Sequence, residues 1–113
     1  MHEVGLMQSA VEAACDHARR AGASRVHRLT LRVGRLAGVE PEALAFAFDV
    51  VSAGTAAEGA RLEVEDVPVV CYCPECRAEF EPDGPVFACP HCGRPSRDVR
   101  RGAELELARL EVS

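Results

Sequence analysis

Two C-x-x-C motifs lie in the second half of this chain, at Cys73–Cys76 and Cys89–Cys92, with twelve residues between them. Each motif can place two thiolates on one side of a tight turn, and two such turns facing each other complete a tetrahedral four-sulfur site. Gly93 follows the second motif and can adopt the left-handed conformation that directs backbone N–H groups toward the sulfurs. Arg77 stands at the matching position after the first motif. The spacing predicts a metal-bound lobe with Cys73, Cys76, Cys89 and Cys92 as ligands.

Zinc is the metal that we expect at this site. Four protein thiolates leave no open coordination position for water or substrate, so the predicted role is structural rather than catalytic. Iron is the alternative, because the turn at Cys89–Gly93 would serve a rubredoxin-like iron centre equally well. That alternative would make the chain an electron carrier.

The other two of the six cysteines have different predicted roles. Cys15 lies on a predicted helix and is interpreted as a small core residue. Cys71 precedes Cys73 by only two residues and could compete with it as a ligand. The N-terminus lacks a secretory signal and no apolar run approaches the roughly 20 residues that span a membrane, so we expect a cytoplasmic protein. Thiols in a reducing compartment favour metal ligation over disulfides.

Hydrophobic periodicity predicts the elements around the cysteines. Apolar residues recur at helical spacing over 4–21, alternate as in a strand over 25–33, and return to a helix that begins at Pro41 and ends before Gly54. Strands are predicted over 61–70 and in the last segment, with Pro68 placing the former at a sheet edge or exit.

This order predicts an α+β fold, with two helices packed on a small mixed sheet and an inserted zinc-ribbon-like lobe. We expect residues 1–70 plus 102–113 to form the α+β lobe and 71–101 to form the four-cysteine lobe. The second helix carries apolar residues on more than one face, including Phe46 and Val50, and is predicted to be the more buried of the two.

The first three residues, Met1-His2-Glu3, form a second candidate site. Removal of the initiator methionine requires a small second residue, so Met1 is expected to stay with its amine free. That amine, the His2 amide and imidazole nitrogens, and the Glu3 amide can close small chelate rings around one cation. An arrangement of this kind suits Ni(II) or Cu(II) better than Zn(II). A solvated, frayed terminus is the alternative.

Taken together, the motifs resemble the HypA/HybF family of hydrogenase nickel-incorporation proteins over essentially the whole chain. The matching residues are Met1-His2-Glu3, Gln8-Ser9, Arg32-Val33-Gly34, Gly38 to Leu44 with Phe46 and Phe48, Gly59-Ala60-Arg61-Leu62, both C-x-x-C motifs, and Gly102 with Glu104-Leu105.

The resemblance implies a nickel metallochaperone without catalytic activity of its own. It implies Ni(II) binding at His2, supported by Met1 and Glu3, and structural Zn(II) at the four cysteines. The implied partners are the GTPase HypB and the large subunit of [NiFe]-hydrogenase, and some relatives also serve urease. Arg77 departs from the family's common C-x-x-C-G pattern, and Cys71 is a further departure.

Charge bears on the remaining alternative, a zinc-ribbon module that binds nucleic acid. The chain has 13 basic and 18 acidic residues, a net charge of −5, which argues against nucleic acid as its main partner. Four arginines nevertheless lie within eight residues beside the second motif, namely Arg94, Arg97, Arg100 and Arg101. His91, inside that motif, is interpreted as a solvated turn residue.

Overall fold

A computed structural model describes residues 2–84 and 86–113 of the chain. The elements, in chain order, are α1 (His2–Arg20), β1 (Val26–Gly34), a 3-10 turn (Arg35–Ala37), α2 (Pro41–Ser52), β2 (Arg61–Val67), β3 (Val70–Cys73), β4 (Ala78–Phe80), β5 (Val99–Arg101) and β6 (Leu105–Val112). Among the helices described, none is long and apolar enough to cross a membrane.

Contacts along the chain divide it into two compact units. We call Met1–Arg32, Gly38–Glu65 and Glu106–Ser113 the helical unit, and Val33–Ala37 with Asp66–Leu105 the cysteine unit. The predicted α+β fold with an inserted ribbon-like lobe is confirmed: two helices accompany one three-stranded sheet, and the cysteines lie in a second sheet of their own.

In the helical unit, α1 packs on α2 through a face of small and medium apolar side chains. The buried residues of α1 recur at steps of four and three, as the periodicity predicts: Met7, Val11, Ala14 and Ala18. The helix ends in a Schellman motif, in which the Ala23 N–H donates to the Ala18 carbonyl at 2.8 Å. Gly22 supplies the positive φ of 74° that this ending requires.

The sheet of the helical unit has the order β2-β1-β6. Ion pairs from the central strand β1 show the directions of its two neighbours. Along β1 the partners in β2 increase in residue number, so β2 is parallel to β1. The partners in β6 decrease in residue number, so β6 is antiparallel. The ion pairs are Arg28–Glu63 and Arg32–Glu65 on one side, and Arg28–Glu111 and Arg32–Glu106 on the other. A parallel and an antiparallel neighbour make the sheet mixed, as predicted.

One residue of β1 departs from simple alternation. Leu29 and Leu31 are buried as expected, but Thr30, on the opposite face with Arg28 and Arg32, is also only 1% exposed. A central strand has a neighbour on each side, so a small side chain between two long arginines can be buried on the polar face as well.

Two apolar residues of α2 do not share the burial that their composition predicts. Leu44, Ala47, Phe48 and Ser52 are buried, but Phe46 is 66% exposed and Val50 is 56% exposed. Apolar composition alone does not tell which faces a neighbouring element will cover, and here the helical unit covers only one.

The cysteine unit contains an antiparallel sheet of order β4-β3-β5. Strand β2 ends at Val67, and β3 begins at Val70 in this second sheet, so Pro68 marks an exit as predicted. The buried cluster of the unit consists of Cys71, Cys73, Phe80 and Cys89, with Val69, Phe87 and Val99 packed against it.

Candidate metal centre

The first C-x-x-C motif occupies the turn between β3 and β4. Cys73 is the last residue of β3 and pairs with Ala78, the first residue of β4. Inside the turn, the Cys76 N–H donates to the Cys73 sulfur at 3.5 Å. Arg77 closes the turn with a positive φ of 54°. The strand pairing therefore fixes the position of both thiols.

The second motif makes a similar turn from a shorter hairpin. The Gly93 N–H donates to the Cys89 carbonyl at 2.8 Å, and the Cys89 N–H donates to the Arg94 carbonyl at 2.9 Å. Gly93 has a φ of 74°, so Arg77 and Gly93 occupy equivalent left-handed positions. The left-handed conformation of Gly93 is the one predicted, and Arg77 adopts it without the freedom of a glycine.

These two turns bring all four predicted sulfurs together. The ligand atoms of Cys73, Cys76, Cys89 and Cys92 lie within 4.8 Å of one another. The Sγ atoms of Cys73 and Cys92 are 3.6 Å apart, and those of Cys89 and Cys76 are 3.8 Å apart. A tetrahedron with Zn–S bonds of about 2.3 Å has edges of about 3.8 Å. Two of the six sulfur–sulfur distances therefore match the edges of a tetrahedral zinc thiolate, and the remaining pairs lie within 4.8 Å.

The first cysteine of each motif is buried and the second is exposed. Cys73 and Cys89 belong to the buried cluster of the unit, whereas Cys76 and Cys92 lie on the solvent side. An ion at this site would thus be anchored to the core on one side and accessible from the other. All four positions would be filled by protein, so no site for a substrate remains.

Hydrogen bonds around the sulfurs shift the pKa values of Cys89 and Cys76 in opposite directions. The backbone N–H of Cys92 and, with it, that of His91 lower the pKa of Cys89 to about 6, against the burial that opposes them. The hydrogen bond with Cys89 chiefly raises the pKa of Cys76 to about 12, with burial and the other two thiols adding to it. Metal ligation requires thiolates, so an ion that binds here would displace the protons that the thiols hold.

Cys71 and Cys15 lie outside this cluster. Cys71 is buried in the core of the cysteine unit, and burial followed by the charge of Asp98 raises the pKa of its thiol. Its sulfur is not among the four that gather at the site. Cys15 is half-buried on α1.

An ion pair joins the two turns across the site. Arg94, directly after the second motif and Gly93, lies 3.2 Å from a carboxylate oxygen of Glu75, inside the first motif. Sequence reasoning missed this contact, because the two residues are nineteen positions apart and meet only when the turns face each other.

The other arginines beside the motif are also engaged. Arg100 makes two hydrogen bonds of 2.9 Å to Asp98, and its guanidinium lies 4.2 Å from the centre of the Tyr72 ring. Arg101 pairs with Glu79 at 2.7 Å. Within the described part of the unit, three of the four arginines thus have carboxylate partners, which weakens the case for a basic nucleic-acid surface.

The predicted nickel residues are described only in part. Met1 and the His2 side chain lie outside the described residues, and Glu3 lies half-buried in the first turn of α1. Within the described residues, the four cysteines are the one group of at least three metal-ligating side chains that could hold an ion. The N-terminal site therefore stays a prediction.

Fold and site together define a small metal-binding protein of two units, one of them built around a four-sulfur centre. The model of the HypA family, described as hydrogenase/urease nickel incorporation, metallochaperone, matches residues 1–112. The chain belongs to this family. Arg77 and Cys71 leave the four-cysteine cluster in place.

Similar proteins agree with this assignment. The chain is 46% identical over 112 residues to the hydrogenase maturation factor HypA of Picosynechococcus sp., covering 99% of each. It is 49% identical to that of Roseiflexus sp., covering 98% of this chain and 91% of the relative. The solution structure of the nickel metallochaperone HypA from Helicobacter pylori has the same fold, with a TM-score of 0.71 at 21% identity over 97% of this chain and 96% of that one. A second HypA solution structure has a TM-score of 0.75 at 23% identity, covering 100% and 97%.

Proposed function

We propose that this protein is a nickel carrier that binds Ni(II) at Met1, His2 and Glu3 and helps insert it into [NiFe]-hydrogenase. The observation that carries the proposal is the closed four-cysteine cluster in a chain that belongs to a nickel-incorporation family. Because the cysteines would use all four positions of their metal, a cargo ion needs other ligands. The nitrogen donors of the N-terminus supply them.

We further propose that the cluster holds zinc and that zinc is structural. The sulfur–sulfur distances of 3.6 and 3.8 Å match a tetrahedral zinc thiolate. Zinc has no redox chemistry, so the proposal excludes the electron transfer expected of a rubredoxin-like iron site. In this proposal, the lobe of residues 1–70 plus 102–113 binds nickel, and the lobe of residues 71–101 binds zinc.

The two donor sets suit the two metals. Amine, amide and imidazole nitrogens in a plane favour Ni(II), whereas soft thiolates in a tetrahedron favour Zn(II). Amide nitrogens must lose their protons to bind, so nickel affinity falls as the pH falls. A shallow terminal site of this kind can also release its ion to another protein.

The proposed partners follow from the family. They are a GTPase of the HypB type, the large subunit of [NiFe]-hydrogenase and, in some relatives, urease maturation proteins. The protein itself needs no catalytic group for this role, and we propose that it acts in the cytoplasm as a non-enzymatic carrier.

Calorimetric titration of Ni(II) into zinc-loaded protein with a native N-terminus tests the nickel site. We expect about one nickel per chain, loss of that binding in His2→Ala, and weaker binding when any residue precedes Met1. His17→Ala and His91→Ala are the matched controls, because both histidines are exposed and are distant in sequence from the three terminal residues. Unchanged nickel binding in His2→Ala, or its loss in His91→Ala, would contradict the assignment.

A further inference from the structure

The solvent-exposed face of α2 carries large apolar side chains. Phe46 is 66% exposed and Val50 is 56% exposed, and the four-residue step between them places them side by side on the helix surface. Ala53, directly after the helix, is exposed as well. We call Phe46, Val50 and Ala53 the apolar strip.

Packing within the helical unit gives no reason for the strip. The opposite face of α2 supplies the buried residues Leu44, Ala47 and Phe48. A large aromatic side chain left in water forgoes the stabilisation that burial would give it. Contiguous exposed apolar residues with a polar rim are typical of a protein interaction site.

The charged residues of α2 itself are both acidic. Glu42 lies one turn before Phe46, and Asp49 lies three residues after it, both exposed. Among the described residues, neither carboxylate has an ion-pair or hydrogen-bond partner. From residue 36 to residue 60 the chain has four acidic residues and no arginine, lysine or histidine.

Carboxylates on the sheet of the same unit, in contrast, are in ion pairs. Glu63, Glu65, Glu106 and Glu111 each pair with an arginine of the sheet. Glu42 and Asp49 thus keep charges that can pair with a ligand. An apolar strip bordered by free carboxylates is complementary to apolar side chains flanked by cations.

We propose that the face formed by Glu42, Phe46, Asp49 and Val50 binds a basic amphipathic segment of a partner protein. Phe46 and Val50 serve as apolar anchors, and the two carboxylates accept ion pairs from arginine or lysine. A helix laid along α2 with apolar residues every three to four positions fits this pattern.

Charge also argues against two other occupants. A second copy related by a twofold axis would bring Glu42 and Asp49 of both chains together, which costs free energy. An anionic membrane surface would repel the same carboxylates. The proposal concerns a protein surface in the helical unit and goes beyond nickel binding. It does not depend on which residues hold nickel.

The probe is a pair of synthetic helical peptides of roughly 18 residues with leucines along one face. One peptide carries arginines beside the leucines, and the other carries glutamates at those positions. We titrate each into isotope-labelled, zinc-loaded protein and follow amide chemical shifts. The basic peptide should shift the amides of α2, and its affinity should fall as salt is added, whereas the acidic peptide should bind at least about tenfold more weakly.

Two variants and one control test which residues carry the binding. Phe46→Ser should weaken the basic peptide about tenfold or more, as expected for an aromatic anchor. Val86→Ser is the matched control, because Val86 is 69% exposed in the cysteine unit, and it should leave affinity unchanged. Glu42→Arg combined with Asp49→Arg should make the protein prefer the acidic peptide, which a loss of folding could not produce. Circular dichroism checks that each variant is helical.

Several results would overturn the proposal. These are equal binding of both peptides, no binding of the basic one, or shifts that map outside α2. Self-association lost in Phe46→Ser would identify a second copy as the occupant, and binding to phosphatidylcholine vesicles would identify a membrane. Nickel titration of Phe46→Ser should match the parent protein, so failure of this proposal and failure of the nickel site are separate results.

Discussion

The helical unit buries Met7, Leu29 and Leu44 at its centre, whereas the cysteine unit buries Cys71, Cys73 and Cys89. The first set is apolar and packs without help. In the second, two of the three buried residues are proposed metal ligands, and few large apolar side chains surround them. A short chain with so small a core generally needs a metal or disulfides to stay folded. Hydrophobic burial therefore holds the first unit, whereas the proposed zinc ion would hold the second.

Removal of the metal should therefore affect the stability of the two units differently, and this is the largest effect that we predict. A strong chelator should unfold the cysteine unit, because binding of structural zinc contributes about 10 kcal/mol or more in small zinc domains. The helical unit should stay folded. Tyr72 is the only tyrosine, tryptophan is absent from the sequence, and both helices belong to the other unit.

Tyrosine fluorescence therefore reports the cysteine unit, and circular dichroism at the helical band reports the helical unit. The expected result is a large change in fluorescence with most of the helical signal retained. Loss of both signals together would show that the helical unit also depends on the metal, which contradicts the comparison.

Replacement of single cysteines should divide the buried thiols into ligands and core residues. Cys73→Ser should lose zinc and unfold the cysteine unit, because three thiolates remain where four are needed. Cys71→Ser should keep about one zinc per chain but lose about 1 to 3 kcal/mol of stability, because it buries a hydroxyl in an apolar cluster. Metal analysis and fluorescence melting measure both effects.

Cys15→Ser is the control for the loss of any thiol, since Cys15 is half-buried in the helical unit. It should keep its zinc. Full zinc in Cys73→Ser would mean that Cys71 can replace the missing ligand, and loss of zinc in Cys71→Ser would make the ligand assignment wrong.

The two turns of the metal centre offer a smaller test. A left-handed conformation costs a non-glycine residue about 1 kcal/mol, and Arg77 adopts it where Gly93 does in the other turn. Arg77→Gly should therefore stabilise the cysteine unit by up to about 1 kcal/mol. Gly93→Ala should destabilise it by about 1 to 2 kcal/mol through φ alone, because a Cβ there meets no atom within 4 Å.

Thermal melting of the zinc-loaded variants, followed by Tyr72 fluorescence, measures the difference between the turns. Opposite shifts of the two variants are expected. Melting temperatures that shift in the same direction would show that the left-handed conformation at these two positions does not control the stability of the unit.

The smallest effect should come from the ion pairs of the helical unit. Arg32 pairs with Glu65 and Glu106, and all three side chains are partly exposed. Arg32→Gln should cost no more than about 1 kcal/mol, since surface ion pairs contribute little. Denaturant unfolding followed by circular dichroism checks this value, and a loss of several kcal/mol would mean that burial alone does not hold the unit.

The sequence was most informative where a local pattern fixes a local structure. Helical periodicity predicted the buried face of α1, Pro68 predicted the exit of the chain from the first sheet, and the spacing within each C-x-x-C motif predicted a turn that carries two thiols. In each case neighbouring residues determine the geometry, so one stretch of sequence suffices.

Predictions failed where distant residues decide the outcome. Phe46 and Val50 have the composition of a buried face, but burial depends on which element packs against them. Thr30 alternates as a solvent-facing residue, but the central position of β1 buries it. The pairing of Arg94 with Glu75 depends on two turns that meet only in the folded unit.

Metal stoichiometry of protein with a native N-terminus, measured with and without added nickel, distinguishes the proposed zinc site from the proposed nickel site. We predict about one zinc per chain in both samples, and about one additional nickel in the second that disappears in His2→Ala. Iron in place of zinc, or nickel that binds only by displacing zinc from the cysteines, would contradict the proposed function.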